Sequence, residues 1–418
     1  MIITDVADKE RVLRQSVDFW NPGKTIEWQH DGISLVMGKR EGYYFYDLTG
    51  KEFMDVHLNG GTFNLGHRNP EIIQVLIDGM QELDIGNHHF PSFTRAALAE
   101  TMAKSTPSNL KYSIYSTGGS EAIDVALKSA RYATQKRKIV SIKNGYHGHT
   151  GLAVALGHKR YSRLFLSEGD PNEFVHVPFN DLDAMEFALR NEDVAAVIVE
   201  TVPATYGFPL PMPNYLPTVK SLCERYGALY IADEVQTGLL RTGKLWAIEH
   251  YGVKPDILVT AKGLSGGIYP IACTVVSERV GQWMSEDGFA HMSTFGGSEL
   301  GCLVAMKVME ITQRDSVKQN VHWVAQYLRN GLEVIRRQYS DLLVDIRQLG
   351  LVMGLVFAHP QGAKPIMRAL YQNGVWAMYS MLDQRVLQFK PGILIDQAYC
   401  DELLSRVETS LRQVAQVM

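Results

Sequence analysis

Between about residue 60 and residue 310 the chain alternates short β-rich runs with segments whose apolar residues recur at helical spacing. The β-rich runs are "KYSIYS" (111–116), "KIVSIK" (138–143), "VAAVIVE" (194–200), "ALYIAD" (228–233) and "DILVTA" (256–261). This alternation is the signature of βα units, and it predicts an α/β fold around a mostly parallel central sheet. Past residue 311, "VHWVAQYLRNGLEVIRRQ" predicts a helix, "GLVMGLVFA" a strand and "CDELLSRVETSLRQVAQVM" a last helix. The early stretch "GISLVMGKREGYYFYDLTGKEFMDV" reads as an antiparallel meander. We therefore expect a large domain over 61–310, and a small α/β domain formed by an N-terminal segment (1–60) and a C-terminal one (311–418).

Charge and composition narrow the function classes. Lysine plus arginine (41) nearly balances aspartate plus glutamate (45), and no basic block marks a nucleic-acid binder. No apolar stretch is long enough to span a bilayer and no basic-then-apolar leader opens the chain, so a cytoplasmic location is expected. The four cysteines stand far apart without a C-x-x-C pair, which suggests neither a disulfide framework nor a metal site.

In parallel sheets ligands gather beyond the carboxyl ends of the strands, so the residues just past each strand are informative. The first run leads into "TGGSEA", where Gly118, Gly119 and Ser120 precede a helix. Such a turn either cradles a phosphate or is a plain Ser-capped helix start. The second leads into "NGYHGHTG", with Tyr146 to lie against a flat ring and His147 and His149 beside it. "ALYIADEVQ" ends in Asp233, a buried carboxylate that needs a partner, with Arg241 one structural candidate. "DILVTA" runs into Lys262, and a desolvated lysine has a lowered pKa and attacks carbonyls. An anion cradle, an aromatic plate, a buried carboxylate and a lysine on one rim fit pyridoxal phosphate.

With those residues in view, the sequence resembles the class III (ornithine/ω-amino acid type) aminotransferases among the fold-type I pyridoxal-phosphate enzymes. The resemblance is densest in "IADEVQTGLLRTGKLWAIEHYGVKPDILVTAKGLSGG" and extends from "NGGTFNLGHRNPEII" to "STFGGSELGCLVAMKVMEI". It implies that Gly119 and Ser120 bind the cofactor phosphate, and that Tyr146 and Val235 cover the two ring faces. Asp233 would hold the ring nitrogen, Gln236 would reach the ring hydroxyl, and Lys262 would bind the aldehyde. Thr294 would reach the phosphate of a neighbouring subunit in a homodimer with shared active sites. Glu200 matches an acid of the inner substrate pocket, and His147 takes a supporting role.

Two positions depart from the family's pattern. Gln388, in "RVLQF", stands where an arginine commonly clamps the substrate α-carboxylate; neighbouring Lys390 or Arg385 is either a substitute for it or a solvated surface charge. "GGSEL" places Ser298 and Glu299 where Asn-Pro is frequent. A neutral amide cannot make the bidentate charged pair of an arginine, so one small-molecule substrate is expected to lack an α-carboxylate: an ω-amino acid, a diamine or an amino sugar. The expected activity is a ping-pong transfer between an amine and a carbonyl compound. The same machinery also serves a racemase or an aminomutase of the glutamate-1-semialdehyde type, and a non-catalytic cofactor-binding regulator is the remote alternative.

Overall fold

The computed structural model describes residues 9–86 and 89–416. An antiparallel meander comes first, with β1 (Met37–Glu41), β2 (Tyr44–Asp47) and β3 (Glu52–Asp55). The central sheet uses β4 (Leu110–Ser116), β5 (Lys138–Ile142), β6 (Phe174–Val177), β7 (Val194–Glu200), β8 (Leu229–Asp233), β9 (Ile257–Thr260) and β10 (Ala272–Ser277), in the order β4-β10-β9-β8-β7-β5-β6. The C-terminal third adds β11 (Leu343–Leu349), β12 (Val352–Phe357), β13 (Val375–Trp376), β14 (Met378–Ser380) and β15 (Asp383–Phe389). Four of these form a sheet in the order β11-β12-β15-β14. β13 instead pairs in parallel with β3, so the N-terminal meander and the C-terminal third share a sheet.

The five β-rich runs of the sequence are all strands of the central sheet. All seven residues of β7 are buried, as a strand covered on both faces requires. The 16-residue helix Gly119–Thr134 lays Ala122, Ile123, Val125, Ala126 and Ala130 onto the sheet, and ends where Gln135 turns left-handed. Helix Asp315–Gln338 buries Val317, Val321, Val324, Leu328, Leu332 and Ile335, a stripe at the 3.6-residue period.

Two strands were not legible in the sequence. β6 is four residues long and includes a histidine, too little for a pattern. β10 runs antiparallel to both of its neighbours, the one reversed strand of the sheet. Its connection from β9, residues 261–271, is too short for the crossover helix that a parallel neighbour needs. Between β11 and β12 the chain turns at Gly350 (φ 59°), where a Cβ would sit 2.4 Å from the backbone carbon of Thr242. Gly350→Ala is therefore expected to destabilise the fold by about 2–4 kcal/mol, read as a lower midpoint of thermal unfolding than that of an exposed Gly→Ala control such as Gly252→Ala.

Candidate active site

The carboxyl ends of β4, β5, β7, β8 and β9 surround a cavity of about 310 Å³. Its wall includes Gly119, Ser120, Tyr146, His147, Glu200, Asp233, Val235, Gln236 and Lys262. Sequence positions 119 to 262 thus meet because each follows a strand of one sheet. At the end of β4 no side chain caps helix Gly119–Thr134, and Gly118 occupies its N-cap. Ser120 is not the cap, since its hydroxyl accepts from the His149 amide at 3.0 Å. Glu121 reaches back to the Thr117 amide (2.8 Å) and hydroxyl (2.7 Å), which fixes the turn and leaves the helix start open to the cavity.

At the end of β8 the Asp233 carboxylate meets His147 Nδ1 at 2.7 Å and accepts the Val235 amide at 3.0 Å. The side chain that meets Asp233 is thus a histidine, not Arg241, the structural alternative. Arg241 is fully buried elsewhere, donating to the carbonyls of Pro391 (2.6 Å) and Leu351 (3.1 Å). Burial disfavours protonated His147, but the hydrogen bond and charge of Asp233 outweigh it and raise its pKa. The contact that gives His147 its supporting place is with the Asp233 carboxylate.

Glu200 accepts the Tyr146 amide at 2.9 Å. Burial pushes its carboxyl up to about 7, with Asp233 adding repulsion while His147 and Lys262 pull the other way. Burial lowers the pKa of Lys262 against the attraction of Asp233 and Glu200. Its backbone is left-handed (φ 42°), a conformation that side-chain-bearing residues seldom adopt and that is stored at functional sites.

A residue absent from the sequence-derived set organises this rim. Glu234, 1% exposed, accepts from the hydroxyls of Thr201 and Thr237 (both 2.7 Å) and from the amides of Ala247 (3.0 Å) and Ile248 (2.8 Å). Burial raises its pKa to about 6, opposed by these four bonds. The "DE" pair at the strand end was visible and Asp233 was read as its site acid, but no part was assigned to Glu234.

The sequence profile described as aminotransferase class III matches residues 25–411. This chain is a class III aminotransferase. It is 45% identical to an uncharacterised aminotransferase of Archaeoglobus fulgidus over 399 residues, covering 95% of this chain and 92% of the relative. It is 32% identical to a putrescine aminotransferase of Pectobacterium atrosepticum over 412 residues, covering 96% and 85% respectively. Among solved structures, a transaminase from the marine bacterium Virgibacillus superposes with a TM-score of 0.88 at 26% identity, covering 97% of this chain and 99% of that one. Ornithine aminotransferase from Toxoplasma gondii gives 0.85 at 24%, with the same coverage. The fold is thus that of the fold-type I enzymes. Class III aminotransferases use pyridoxal phosphate, and a second structure of the Toxoplasma enzyme holds it at partial occupancy in the active site.

Not every predicted position borders the cavity of this aminotransferase. Thr294 is exposed and lies outside it within the single chain. Gln388 is buried behind the wall, donating to the Tyr379 carbonyl at 3.4 Å and accepting Lys390 Nζ at 2.7 Å. Arg385 pairs with Asp383 at the surface, whereas Lys390 is 1% exposed. Ser298 caps helix Glu299–Gln313 by accepting the Gly301 amide, which accounts locally for the "GGSEL" departure.

The raised carboxyl of Glu200 has a consequence for stability. Its unfolded value is near 4.5 and its folded value about 7, so the folded state holds a proton that the unfolded chain releases. The stabilisation is full below about pH 4.5 and lost as pH rises through about 7. Glu200→Gln should flatten the fall of the thermal midpoint over that window and be the more stable form above it, by about 1–3 kcal/mol, measured by melts at graded pH.

Proposed function

We propose that this aminotransferase takes its amino group from an amine with no carboxylate beside the reacting carbon, and passes it to a carbonyl acceptor in ping-pong fashion. The observation that carries this reading is Gln388, a buried amide already engaged by Tyr379 and Lys390, where an α-carboxylate clamp would require a free guanidinium. Glu200 supports a diamine among the candidate donors. Among the described residues no basic side chain is within ion-pair distance of it, so a second substrate ammonium would meet a carboxylate short of a counter-charge. The similarity to a putrescine aminotransferase, a diamine enzyme by its name, points the same way.

The residues present fit pyridoxal phosphate. The uncapped helix start at Gly119 and Ser120 offers backbone N–H groups and positive dipole potential to a phosphate. Tyr146 and Val235 supply an aromatic and an aliphatic face, Asp233 a carboxylate for the ring nitrogen, Gln236 an amide for the ring hydroxyl, and Lys262 an amine for the aldehyde. When bound, the group supplies a reactive carbonyl and an electron-withdrawing ring. His147 holds Asp233 in place through Nδ1. Lys262 Nζ, whose pKa burial lowers, takes the proton from the amine-bearing carbon of the substrate.

The second copy enters through Thr294. Around it Phe289 and Phe295 are exposed, and His89 packs against Phe289 beside exposed Phe90 and Phe93, an apolar surface suited to a dimer in which Thr294 completes the partner's phosphate site.

Lys262→Ala is expected to lower transfer by on the order of 10⁴-fold and to remove the absorbance of lysine-bound cofactor. A half-reaction screen on the wild-type holoenzyme, following the cofactor spectrum, should show conversion by diamines or ω-amino acids and little by simple α-amino acids offered as amine donors. Exclusive use of α-amino acids with α-keto acids would overturn the reading. Turnover of one substrate without any acceptor would favour the mutase or racemase.

A further inference from the structure

The proposed amine chemistry gives Lys390 no task. Its Nζ donates to two amide oxygens, Gln388 Oε1 at 2.7 Å and Gln236 Oε1 at 3.3 Å, and to no carboxylate among the described residues. The ring of Phe208 lies 5.6 Å from it. Burial first, then the nearby charges of Arg241 and Lys262, hold its pKa well below the usual lysine range, with Asp55 and Glu200 opposing. A buried lysine that no carboxylate contacts is costly to charge unless something supplies the counter-charge.

Gln388 lies in β15 and Lys390 is the first residue past its end, and their side chains meet at 2.7 Å. An arginine at 388 would set like charge against Lys390, whereas the glutamine carbonyl accepts it. The two residues belong together, as a positive charge moved roughly 7 Å along the strand. The link to the cavity is Gln236. Its Oε1 lies 3.3 Å from Lys390 Nζ and 3.3 Å from where a Cβ on Gly60 would sit, a point itself 3.0 Å from Lys262 Cε. Gly60 has φ 72° and no side chain, and a Cβ there would crowd both Lys262 and Gln236, so the glycine lets the reactive lysine and the Gln236–Lys390 contact approach one another.

We propose that Lys390 recognises the carboxylate of the acid partner, the amino acid or keto acid of the second half-reaction, which takes the place of Gln236 against Nζ. This rests on the reading that the two half-reactions use chemically different substrates. The amine meets Glu200 and the acid meets Lys390, with no arginine that has to serve one and withdraw for the other. Binding the carboxylate also removes the electrostatic strain on Lys390, which favours its charged form in that half-reaction alone.

The test compares acceptors that differ only in the carboxylate, pyruvate against acetaldehyde, on holoenzyme already carrying the amino group. Lys390→Met should reduce the preference for pyruvate by about tenfold or more, chiefly through KM, and Lys390→Arg should restore most of it. An unchanged preference in a folded, cofactor-loaded Lys390→Met enzyme overturns the proposal. Calorimetric titration of wild-type holoenzyme with glutarate and with glutaramide decides the matter even where the variant does not fold. Binding of the diacid at least about tenfold tighter supports it, and equal binding refutes it. Failure of every amine to donate would count against the proposed function, while the calorimetric comparison would still judge Lys390.

Discussion

The carboxylate of Glu234, buried and accepting four hydrogen bonds, ties three separate stretches of chain to the end of β8. One bond runs to Thr201, the residue after Glu200, one to Thr237 in the turn that carries Val235 and Gln236, and two to the start of the short helix at Ala247. The side chains that wall the cavity therefore hang from an acid that does not line it. Placing four donors around one buried carboxylate is a demanding arrangement, because losing any one leaves a polar group without compensation. It fixes Asp233 and Val235 relative to Glu200 more tightly than strand pairing alone would.

Much of this was legible in the sequence, because apolar strands announce themselves and parallel sheets collect chemistry at one edge. The five strand ends that the sequence brought forward do converge, and Gly119, Ser120, Tyr146, Glu200, Asp233, Val235, Gln236 and Lys262 share one cavity. What remained hidden depended on partners far away in the chain. Nothing local distinguishes a histidine that will hold Asp233 from one facing solvent, such as its neighbour in "YHGH". Lys390 reads equally as a substitute for the missing arginine and as a solvated surface charge until the fold brings residue 236 beside it. β10 was missed because direction in a sheet is decided by connection length, not by the strand's own residues.

Charge inside the site is unevenly distributed, and the unevenness is informative. Asp233 has His147 on one side, while Glu200 and Lys390 each lack an opposite charge at ion-pair distance among the described residues. Both have their pKa moved toward the neutral form chiefly by burial. A protein of this kind is least comfortable when empty, and substrates of the right sign relieve it. Selectivity then comes from which buried group is neutralised, as much as from the shape of the walls.

The reversed strand β10 sets how Lys262 can move. Residues 261–271 leave the sheet after β9 and re-enter it in β10, and Cys273 pairs directly with Thr260 across the two strands. Both ends of the segment are thus stitched to one another, and its middle is a short, tight helical turn. Lys262 lies two residues past the paired Thr260, which tethers its backbone close to the sheet. Whatever travel Lys262 needs between one bonding partner and the next must come from rotation about its own four side-chain bonds. The reach of the amine is then set by the length of a lysine, and a shorter amine grafted at this position would have no compensating loop movement to draw on.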